Sequence, residues 1–254
     1  MKKKVVLSIG GSDPSCGAGV QADIRTIDRF GCYPCSVVTL ITAQNSFGFR
    51  NWWHLDDKQI ESQLKCVLDD IRPDAVKIGW IRTESAITII SRLLKEYRIE
   101  NIVVDPVMGP TLNYFSPSRM AVDALVDELF PLAALVTPNK PEFEVIEKIS
   151  GNSLDQLCNA YLLKGGHSSD EEIKDTLFFK DSGEWVQKEF RHRRIDTFNS
   201  HGSGCVLSSS IACGLAGGHS LEKSVDKAVN FLYSEMVNAS KISIVSGKYG
   251  PVLV

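Results

Sequence analysis

The residues from Lys3 to Gly31, KKVVLSIGGSDPSCGAGVQADIRTIDRFG, join an apolar run to a helical repeat through a glycine-rich segment. The run KKVVLSI (3–9) has the length and the continuous apolar character of a buried β-strand. Beyond the glycines, apolar residues recur at helical spacing, namely Val20, Ile24 and Ile27. Gly31 is placed to end that helix. A buried strand that passes through a glycine turn into a helix predicts the start of a parallel α/β sheet.

The same alternation of strand and helix continues along the chain. Further buried strands are predicted at 35–42, 74–79, 101–105, 133–137 and 159–166. Helices are predicted from the cap Asp56 to just before Pro73, at 84–97, from Ser116-Pro117 to about Leu129, at 203–216 and at 221–240. DTLFFK (175–180) and EWVQKEF (184–190) predict a hairpin, because the turn Asp181-Ser182-Gly183 joins them. We therefore expect an α/β fold in one domain, 1–254, with a mostly parallel central sheet, helices on both faces and an antiparallel edge hairpin.

Composition and charge argue against several classes of protein. The chain has 254 residues, of which 43% are hydrophobic, and it can bury a full core. Its net charge of −3 offers no basic surface for a nucleic acid. No apolar run approaches the length of a membrane span, and the run at the N-terminus is too short for a signal peptide. Seven cysteines without a regular spacing are typical of a reduced protein, so we expect a cytoplasmic location.

Polar clusters follow six predicted strands at the point where each strand ends. They are GGSD (10–13), TAQNS (42–46), IGW (78–80), DPVMGP (105–110), TPNKPE (137–142) and KGGH (164–167). In a parallel sheet, the ligand crevice lies outside the carboxyl ends of the strands. The coincidence of six clusters with six strand ends therefore predicts one shared site. GGSDPSCGAG does not match the G-x-G-x-x-G spacing, which argues against a dinucleotide site.

The segment FNSHGSGCVLSSS (198–210) predicts a glycine turn that runs into a helix. Unpaired N–H groups at such a helix start attract anions, although the lysine of a P-loop is missing. Cys205 stands at this helix start, where the N–H groups and the helix dipole are expected to lower the pKa of its thiol. The thiol could be a nucleophile, a proton acceptor or a small buried residue. His201, four residues upstream, could be an activating base.

Three charged residues at other strand ends have both a chemical and a structural interpretation. Asp105 and Glu142 could hold Mg²⁺ beside a phosphate, or each could cap a loop or a helix. Lys164 could meet a phosphate, or it could be a solvated lysine. The residue pattern alone leaves these alternatives open.

Several motifs occur together in a familiar order, from SIGGSDPSCGAGVQADIRT through TLITAQNS, VVDPVMG, TPNKPEFE and LLKGGH to SHGSGCVLSSSIA. Over essentially the whole chain they resemble the hydroxymethylpyrimidine/phosphomethylpyrimidine kinases of thiamine biosynthesis, which belong to the ribokinase-like superfamily. The resemblance implies a ribokinase-like fold in which Gly202, Ser203 and Gly204 form an anion hole for the transferred phosphoryl group. It also places Cys205 near the acceptor hydroxyl, where most of the superfamily has Asp as a base.

The resemblance implies roles for further residues. Gln44 matches the residue that reads the pyrimidine, and its amide offers both a donor and an acceptor. The other substrate-pocket residues implied are Gly11, Asp23, Trp80 and Val107, with Asp23 either touching substrate or ordering the glycine loop. The nucleotide side implied is Asn139, Lys164 and Gly166, with Asp105 and Glu142 at Mg²⁺.

The implied activity is two successive transfers from ATP, first to 4-amino-5-hydroxymethyl-2-methylpyrimidine and then to its monophosphate. A monovalent cation could assist, and a homodimer is expected, with no nucleic-acid or membrane partner. Three alternatives remain open at this point: a pyridoxal kinase, a catalytically idle paralogue that binds pyrimidine or nucleotide, and a hydrolase with a cysteine nucleophile.

The chain departs from the family pattern in three places. Trp80 stands where the family has Met, and GPTLNYFSP (109–117) replaces the usual substrate-closing segment. GNSLDQLCNA (151–160) leaves room for only a stub of the helix that precedes the sixth strand. The pair Trp52-Trp53 could be a dimer contact, structural packing or a neighbour of the pocket, and we expect one of the first two.

Overall fold

A computed structural model describes residues 3–109, 117–166 and 171–252. The strands are β1 Val5–Ser12, β2 Tyr33–Asn45, β3 Gly48–His54, β4 Ala75–Ile78, β5 Ile102–Val104, β6 Ala133–Val136, β7 Ala160–Leu163, β8 Glu172–Asp181 and β9 Glu184–Arg193. The α-helices are α1 Gly19–Arg29, α2 Asp57–Asp70, α3 Glu84–Glu96, α4 Arg119–Ala124, α5 Lys140–Ser150, α6 Leu154–Leu157, α7 Ser203–Ala216 and α8 Leu221–Ala239. A π turn at Leu125–Leu129 and a 3-10 turn at Phe130–Leu132 continue α4 to β6.

All nine strands form one sheet, in the order β3-β2-β1-β4-β5-β6-β7-β8-β9. The six strands from β2 to β7 in this order pair in parallel. In the hairpin β8–β9, β8 pairs antiparallel with β7 and β9 pairs antiparallel with β8, and the turn lies at Ser182 and Gly183, both of positive φ. These pairings confirm the predicted α/β fold with a mostly parallel sheet and an antiparallel edge hairpin.

The opposite edge of the sheet was not predicted. β3 pairs antiparallel with β2 from Leu40↔His54 to Asn45↔Gly48, and this ladder carries β2 to Asn45, past the expected end at residue 42. The sequence signal was weak, because β3 is largely exposed on both faces and therefore shows no apolar alternation. The carboxyl end of β2, which bears Gln44, is thus fixed by its antiparallel pairing with β3.

Two apolar cores cover the two faces of the sheet. On β1, Leu7 and Ile9 point into the core beneath α2, α3 and α5, while Val6 points into the core beneath α1, α7 and α8. Side chains alternate between the faces of a strand, and burial of both faces explains the continuous apolar run of this strand. The core therefore fixes β1 and β4 rigidly below the loops that follow them.

The capping residues of the helices explain which predicted helix starts agree with the structure and which do not. Asp56 caps α2 as expected and forms a capping box with Gln59. The predicted elements omitted α5, which begins with a capping box between Asn139 and Glu142, because TPNKPE was interpreted only as a site motif. α4 begins after its cap Ser118, later than the expected start, and Ser116 lies outside the described residues. The expected stub before β7 is confirmed as the four-residue helix α6.

All seven cysteines lie in the described ranges, and none forms a disulfide. In the same ranges, no helix combines the length and the apolar character needed to cross a lipid bilayer.

α7 and α8 touch closely where Gly214 faces Ser224. A Cβ at Gly214 would lie 2.8 Å from the Ser224 Cβ and 3.0 Å from its Cα. The glycine therefore allows the two helices to approach each other beneath the sheet.

We predict that Gly214→Ala lowers the free energy of unfolding by about 1–3 kcal/mol, because the added methyl group overpacks this contact. Gly217→Ala is the matched control, since its φ is −74° and its methyl group would approach no atom nearer than 3.3 Å. Urea unfolding followed by circular dichroism measures both variants. Equal stability of the two variants would contradict the assignment of this contact.

Candidate active site

A cavity of about 110 Å³ opens at the carboxyl ends of β1, β2 and β4. Five of the sequence-predicted site residues line it: Gly11, Gln44, Trp80, Val107 and Cys205. Asp13 and Gly79, from the polar clusters expected at the shared site, line it as well, together with Lys77 and His201, to which the sequence analysis gave no place in the pocket. The structure thus brings together the residues expected on the substrate side, with the exception of Asp23.

Asp23 does not line this cavity. Its carboxylate is fully buried on α1, behind the cavity wall, where it accepts hydrogen bonds from Ser8 Oγ at 2.6 Å and Ser209 Oγ at 2.8 Å. The Lys77 Nζ contacts its two oxygens at 3.0 Å and 2.9 Å. In the structure the Asp23 carboxylate therefore holds Lys77 and α7 in place, and the hydrogen bonds it accepts from described residues come from Ser8, Lys77 and Ser209.

Lys77 is the main residue that the sequence analysis missed. It lies in the apolar strand AVKI and has only 1% of its surface exposed. Burial would lower the pKa of Lys77, but the contact with Asp23 raises it above its ordinary value, so the ammonium stays charged. A lysine in the middle of a buried strand requires a buried partner, and this requirement was the available signal.

The glycine turn before α7 has the geometry expected of an anion site. Gly202 is the N-cap with φ +81°, and a Cβ there would collide with the carbonyl of Gly17. The Ser203 amide donates to the Ser200 carbonyl at 3.2 Å, so it is committed to the turn. Within the described residues, the amides of Gly204 and Cys205 have no acceptor. These two amides are available to an anion, and the Ser203 amide is not.

The expected lowering of the Cys205 pKa is wrong. Burial raises the pKa of this thiol to about 11, and nearby Lys77 and a hydrogen bond from the Gly19 backbone only partly oppose it. The sulfur lies where α1 and α7 both begin, but the desolvation of a thiolate outweighs the favourable field of the amides. Cys205 is therefore a neutral thiol at pH 7.

His201 pairs with Asp13. Its Nε2 lies 3.1 Å from Asp13 Oδ2, and the same oxygen accepts from the amides of Gly17 and Ala18 at 3.1 Å and 2.8 Å. Burial acts to raise the pKa of Asp13, but these hydrogen bonds and those from Ser15 hold it below its ordinary value. His201 thus ties the glycine loop after β1 to the turn before α7, and this contact occupies one of its two ring nitrogens, Nε2.

The nucleotide-side residues gather around Lys164, at the end of β7. Lys164 Nζ lies 2.8 Å from Asp105 Oδ1 and 3.8 Å from Glu142 Oε2. Burial acts to raise the pKa of Asp105, but Lys164 and Lys77 hold it below its ordinary value. Burial raises the pKa of Glu142 to about 7, because Lys164 only partly compensates for it.

Asn139 and Glu142 also have a structural role. The Asn139 side chain accepts from the Glu142 amide at 2.9 Å, and the Asn139 amide donates to the Glu142 carboxylate at 2.8 Å. Glu142 thus takes part in the cap of α5, and its carboxylate also lies 3.8 Å from Lys164 Nζ. Gly166 follows β7 as expected, and Arg194 donates to its carbonyl at 3.4 Å.

α7 lies between two buried lysine–carboxylate pairs. Ser209 donates to Asp23 at 2.8 Å. The neighbouring Ser208 hydroxyl donates to the Gly204 carbonyl at 2.8 Å and lies 3.4 Å from Asp105 Oδ2. A Cβ at Gly204 would lie 3.4 Å from Lys164 Nζ and 3.5 Å from Asp105 Oδ2. One cation therefore flanks the anion site on the cavity side and another on the nucleotide side.

The tryptophans divide between the pocket and the sheet edge. Trp80 lies on the cavity wall, with its ring centroid 6.1 Å from that of Phe49. Trp52 contacts His54 and the Arg82 guanidinium, and Trp53 is 54% exposed. Neither Trp52 nor Trp53 lines the cavity. Of the unusual segment 109–117, residues 110–116 lie outside the described ranges.

We predict that Cys205 reacts with iodoacetamide roughly 10-fold more slowly at about pH 7.5 than Cys16, the exposed internal reference, because little thiolate is present. The rate at Cys205 should still be rising between about pH 9 and 10, since its pKa is about 11. Peptide mass spectrometry measures both sites. A rate that levels off below about pH 8 would show a thiolate favoured by the helix start and would overturn this assignment, independently of access.

Comparisons with known proteins agree with this geometry. The family model described as "Phosphomethylpyrimidine kinase" matches residues 13–252. The hydroxymethylpyrimidine/phosphomethylpyrimidine kinase of Escherichia coli is 36% identical over 270 residues, covering 99% of this chain and 97% of that protein. A crystal structure of a phosphomethylpyrimidine kinase from Clostridium difficile is 34% identical, with a TM-score of 0.76 over 91% of this chain and 99% of that chain.

The fold is also shared with pyridoxal kinases. A structure of the Staphylococcus aureus pyridoxal kinase in complex with AMP-PCP and pyridoxal has a TM-score of 0.85 at 26% identity, over 99% of this chain and 93% of that chain. The family model and the full-length relatives distinguish between these two groups. This chain belongs to the phosphomethylpyrimidine kinase family.

Proposed function

We propose that this protein transfers the γ-phosphoryl group of ATP to the hydroxymethyl oxygen of 4-amino-5-hydroxymethyl-2-methylpyrimidine. A second ATP then phosphorylates the monophosphate to give the diphosphate, for thiamine biosynthesis. One observation carries the proposal: Gln44 and Cys205 share a cavity that adjoins the free amides in the first turn of α7. Membership of the family supports the same activity.

The cavity suits a flat, polar-edged ring. The Gln44 amide can donate to a ring nitrogen and accept from an exocyclic amine, which are the two needs of an aminopyrimidine edge. Trp80 and Val107 supply apolar surface for the ring faces. Bound in this way, the hydroxymethyl group would lie toward Cys205.

The neutral thiol of Cys205 orients the acceptor hydroxyl. Phosphoryl transfer passes through a loose transition state, so positioning and charge stabilisation contribute more than a strong base. The amides of Gly204 and Cys205 would donate hydrogen bonds to the transferred group and so stabilise its negative charge. A thiol with a pKa of about 11 also argues against a hydrolase with a cysteine nucleophile.

The nucleotide side fits Mg²⁺ and ATP. Within the described residues no group of three metal-ligating side chains occurs, but Mg²⁺ usually takes one or two carboxylates together with substrate phosphates. Asp105 and Glu142 offer two buried carboxylates, and the raised pKa of Glu142 indicates that its charge is not fully balanced. These residues would hold the ion, which would neutralise phosphate charge. Lys164 would bind the phosphates, with Asn139 and Gly166 nearby.

Pyridoxal is the second candidate acceptor, because the fold is shared closely with pyridoxal kinases. The homodimer, the monovalent cation and the cytoplasmic location stay predictions, as does the place of Trp52-Trp53 in a dimer contact.

A coupled ADP-release assay with the pyrimidine alcohol, its monophosphate and pyridoxal tests the function. We expect turnover with both pyrimidines and a lower kcat/KM with pyridoxal. Turnover with pyridoxal alone would make the protein a pyridoxal kinase. Binding of the pyrimidine without ADP release would indicate the idle paralogue.

We predict that Gln44→Leu raises the KM for the pyrimidine alcohol roughly 10-fold or more, because both amide hydrogen bonds are lost while the side-chain size is kept. The KM for ATP should stay unchanged, and steady-state kinetics measures both values. An equal rise in the two values would place Gln44 outside the pyrimidine site.

We predict that Gly204→Ala lowers kcat roughly 100-fold, because its methyl group occupies the space that a phosphoryl group needs beside Lys164. The added Cβ meets only ordinary contacts in the protein, so the midpoint of thermal unfolding should change by no more than about 2 °C. Full activity in a stable variant would rule out the anion site in the first turn of α7.

A further inference from the structure

The ion pair between Lys77 and Asp23 is buried and has no part in the function described so far. Lys77 has 1% of its side chain exposed and Asp23 has none. A buried ion pair is a weak source of stability, since well-packed apolar residues often replace it without loss. The pair links α1 to β4, and the hydrogen bond from Ser209 to Asp23 links α7 to both. Of these residues, Lys77 lines the substrate cavity.

The pair is oriented with its positive end toward the cavity. Lys77 lines the cavity, whereas Asp23 lies behind it, between Ser8 and Ser209. A Cβ at Gly79, another cavity-lining residue, would lie 2.9 Å from Lys77 Nζ, so the ammonium lies beside the backbone of the cavity wall. Within the described residues Lys77 donates to Asp23 alone, while an ammonium has three hydrogens to donate.

The two substrates of the proposed function differ in charge. The pyrimidine alcohol brings no anionic group to the cavity, whereas its monophosphate brings a phosphate of about two negative charges. Lys164 lies beside Gly204, with Asp105 and Glu142, and the proposed function assigns it to the nucleotide. Among the described residues that line the substrate cavity, Lys77 is the one lysine or arginine.

We propose that Lys77 binds the phosphate of the monophosphate substrate and is therefore a residue specific to the second transfer. In that step a phosphate oxygen of the substrate attacks the γ-phosphorus of ATP. The new bond joins this oxygen to phosphorus, the bond from the γ-phosphorus to the β-γ bridging oxygen breaks, and ADP leaves with that electron pair. Lys77 donates a hydrogen bond to the attacking phosphate and offsets its repulsion by the triphosphate. This inference rests on the proposed function.

The test compares the two transfers in one variant. Lys77→Met/Asp23→Asn removes both charges, so neither partner is left buried and unpaired. We expect kcat/KM for the monophosphate to fall roughly 10- to 100-fold more than kcat/KM for the alcohol, which is the range for a lost charged hydrogen bond. Most of the fall should lie in KM for the monophosphate, with KM for ATP unchanged.

Lys188→Met/Glu222→Gln is the matched control, because it removes an exposed pair 3.1 Å apart that is remote from the cavity lining. It should leave both transfers unchanged. Equal losses in the two transfers of the Lys77 variant, or no loss, would overturn the proposal. A wild-type protein that phosphorylates the alcohol and not the monophosphate would instead refute the second transfer in the proposed function, and the role of Lys77 with it.

A binding measurement covers the case in which the double variant does not fold. Isothermal titration of the nucleotide-free wild-type protein compares the monophosphate with the alcohol. We expect the monophosphate to bind at least roughly 10-fold more tightly. Equal or weaker binding of the monophosphate would overturn the proposal.

Discussion

The beginning of α7 lies between two lysine–carboxylate pairs, Lys77–Asp23 and Lys164–Asp105. Ser209 of the helix donates to Asp23 at 2.8 Å, and the Ser208 hydroxyl lies 3.4 Å from Asp105. A hydrogen bond to a buried carboxylate is stronger than a neutral one, and its loss is costly. Rotation or sliding of the helix would break the bond between Ser209 and Asp23. This contact helps to keep the free amides in the first turn of α7 between the substrate cavity and the nucleotide side.

Close backbone contacts complete the arrangement. Gly202 lies against the carbonyl of Gly17, and Gly19 lies against the carbonyl of Gly11, so a side chain at either position would collide with backbone. Both glycines also have positive φ, which side chains rarely adopt. The loop after β1 and the turn before α7 thus meet as bare backbone, and the pair of Asp13 and His201 ties them together.

The same burial that organises the charges sets the chemistry of the thiol. An amide from α1 and the ammonium of Lys77 both favour a thiolate at Cys205, yet desolvation keeps the thiol protonated. A protonated thiol is suited to orienting an alcohol beside a phosphoryl group, and it is a poor nucleophile. The site therefore depends on positioning and on fixed charge.

Apart from β3 and α5, local pattern alone determined the succession of strands and the longer helices, the hairpin β8–β9 and the sheet edge where polar residues gather, because periodicity and turn chemistry act over a few residues. Motif order added the pocket residues Gln44 and Cys205. Only the tertiary structure decided which charges meet: Lys77 and Asp23 are 54 positions apart, and their pairing and the pKa of Cys205 depend on burial by distant segments. The exposed edge strand β3 likewise follows from its pairing with β2, since an unburied strand shows no apolar alternation.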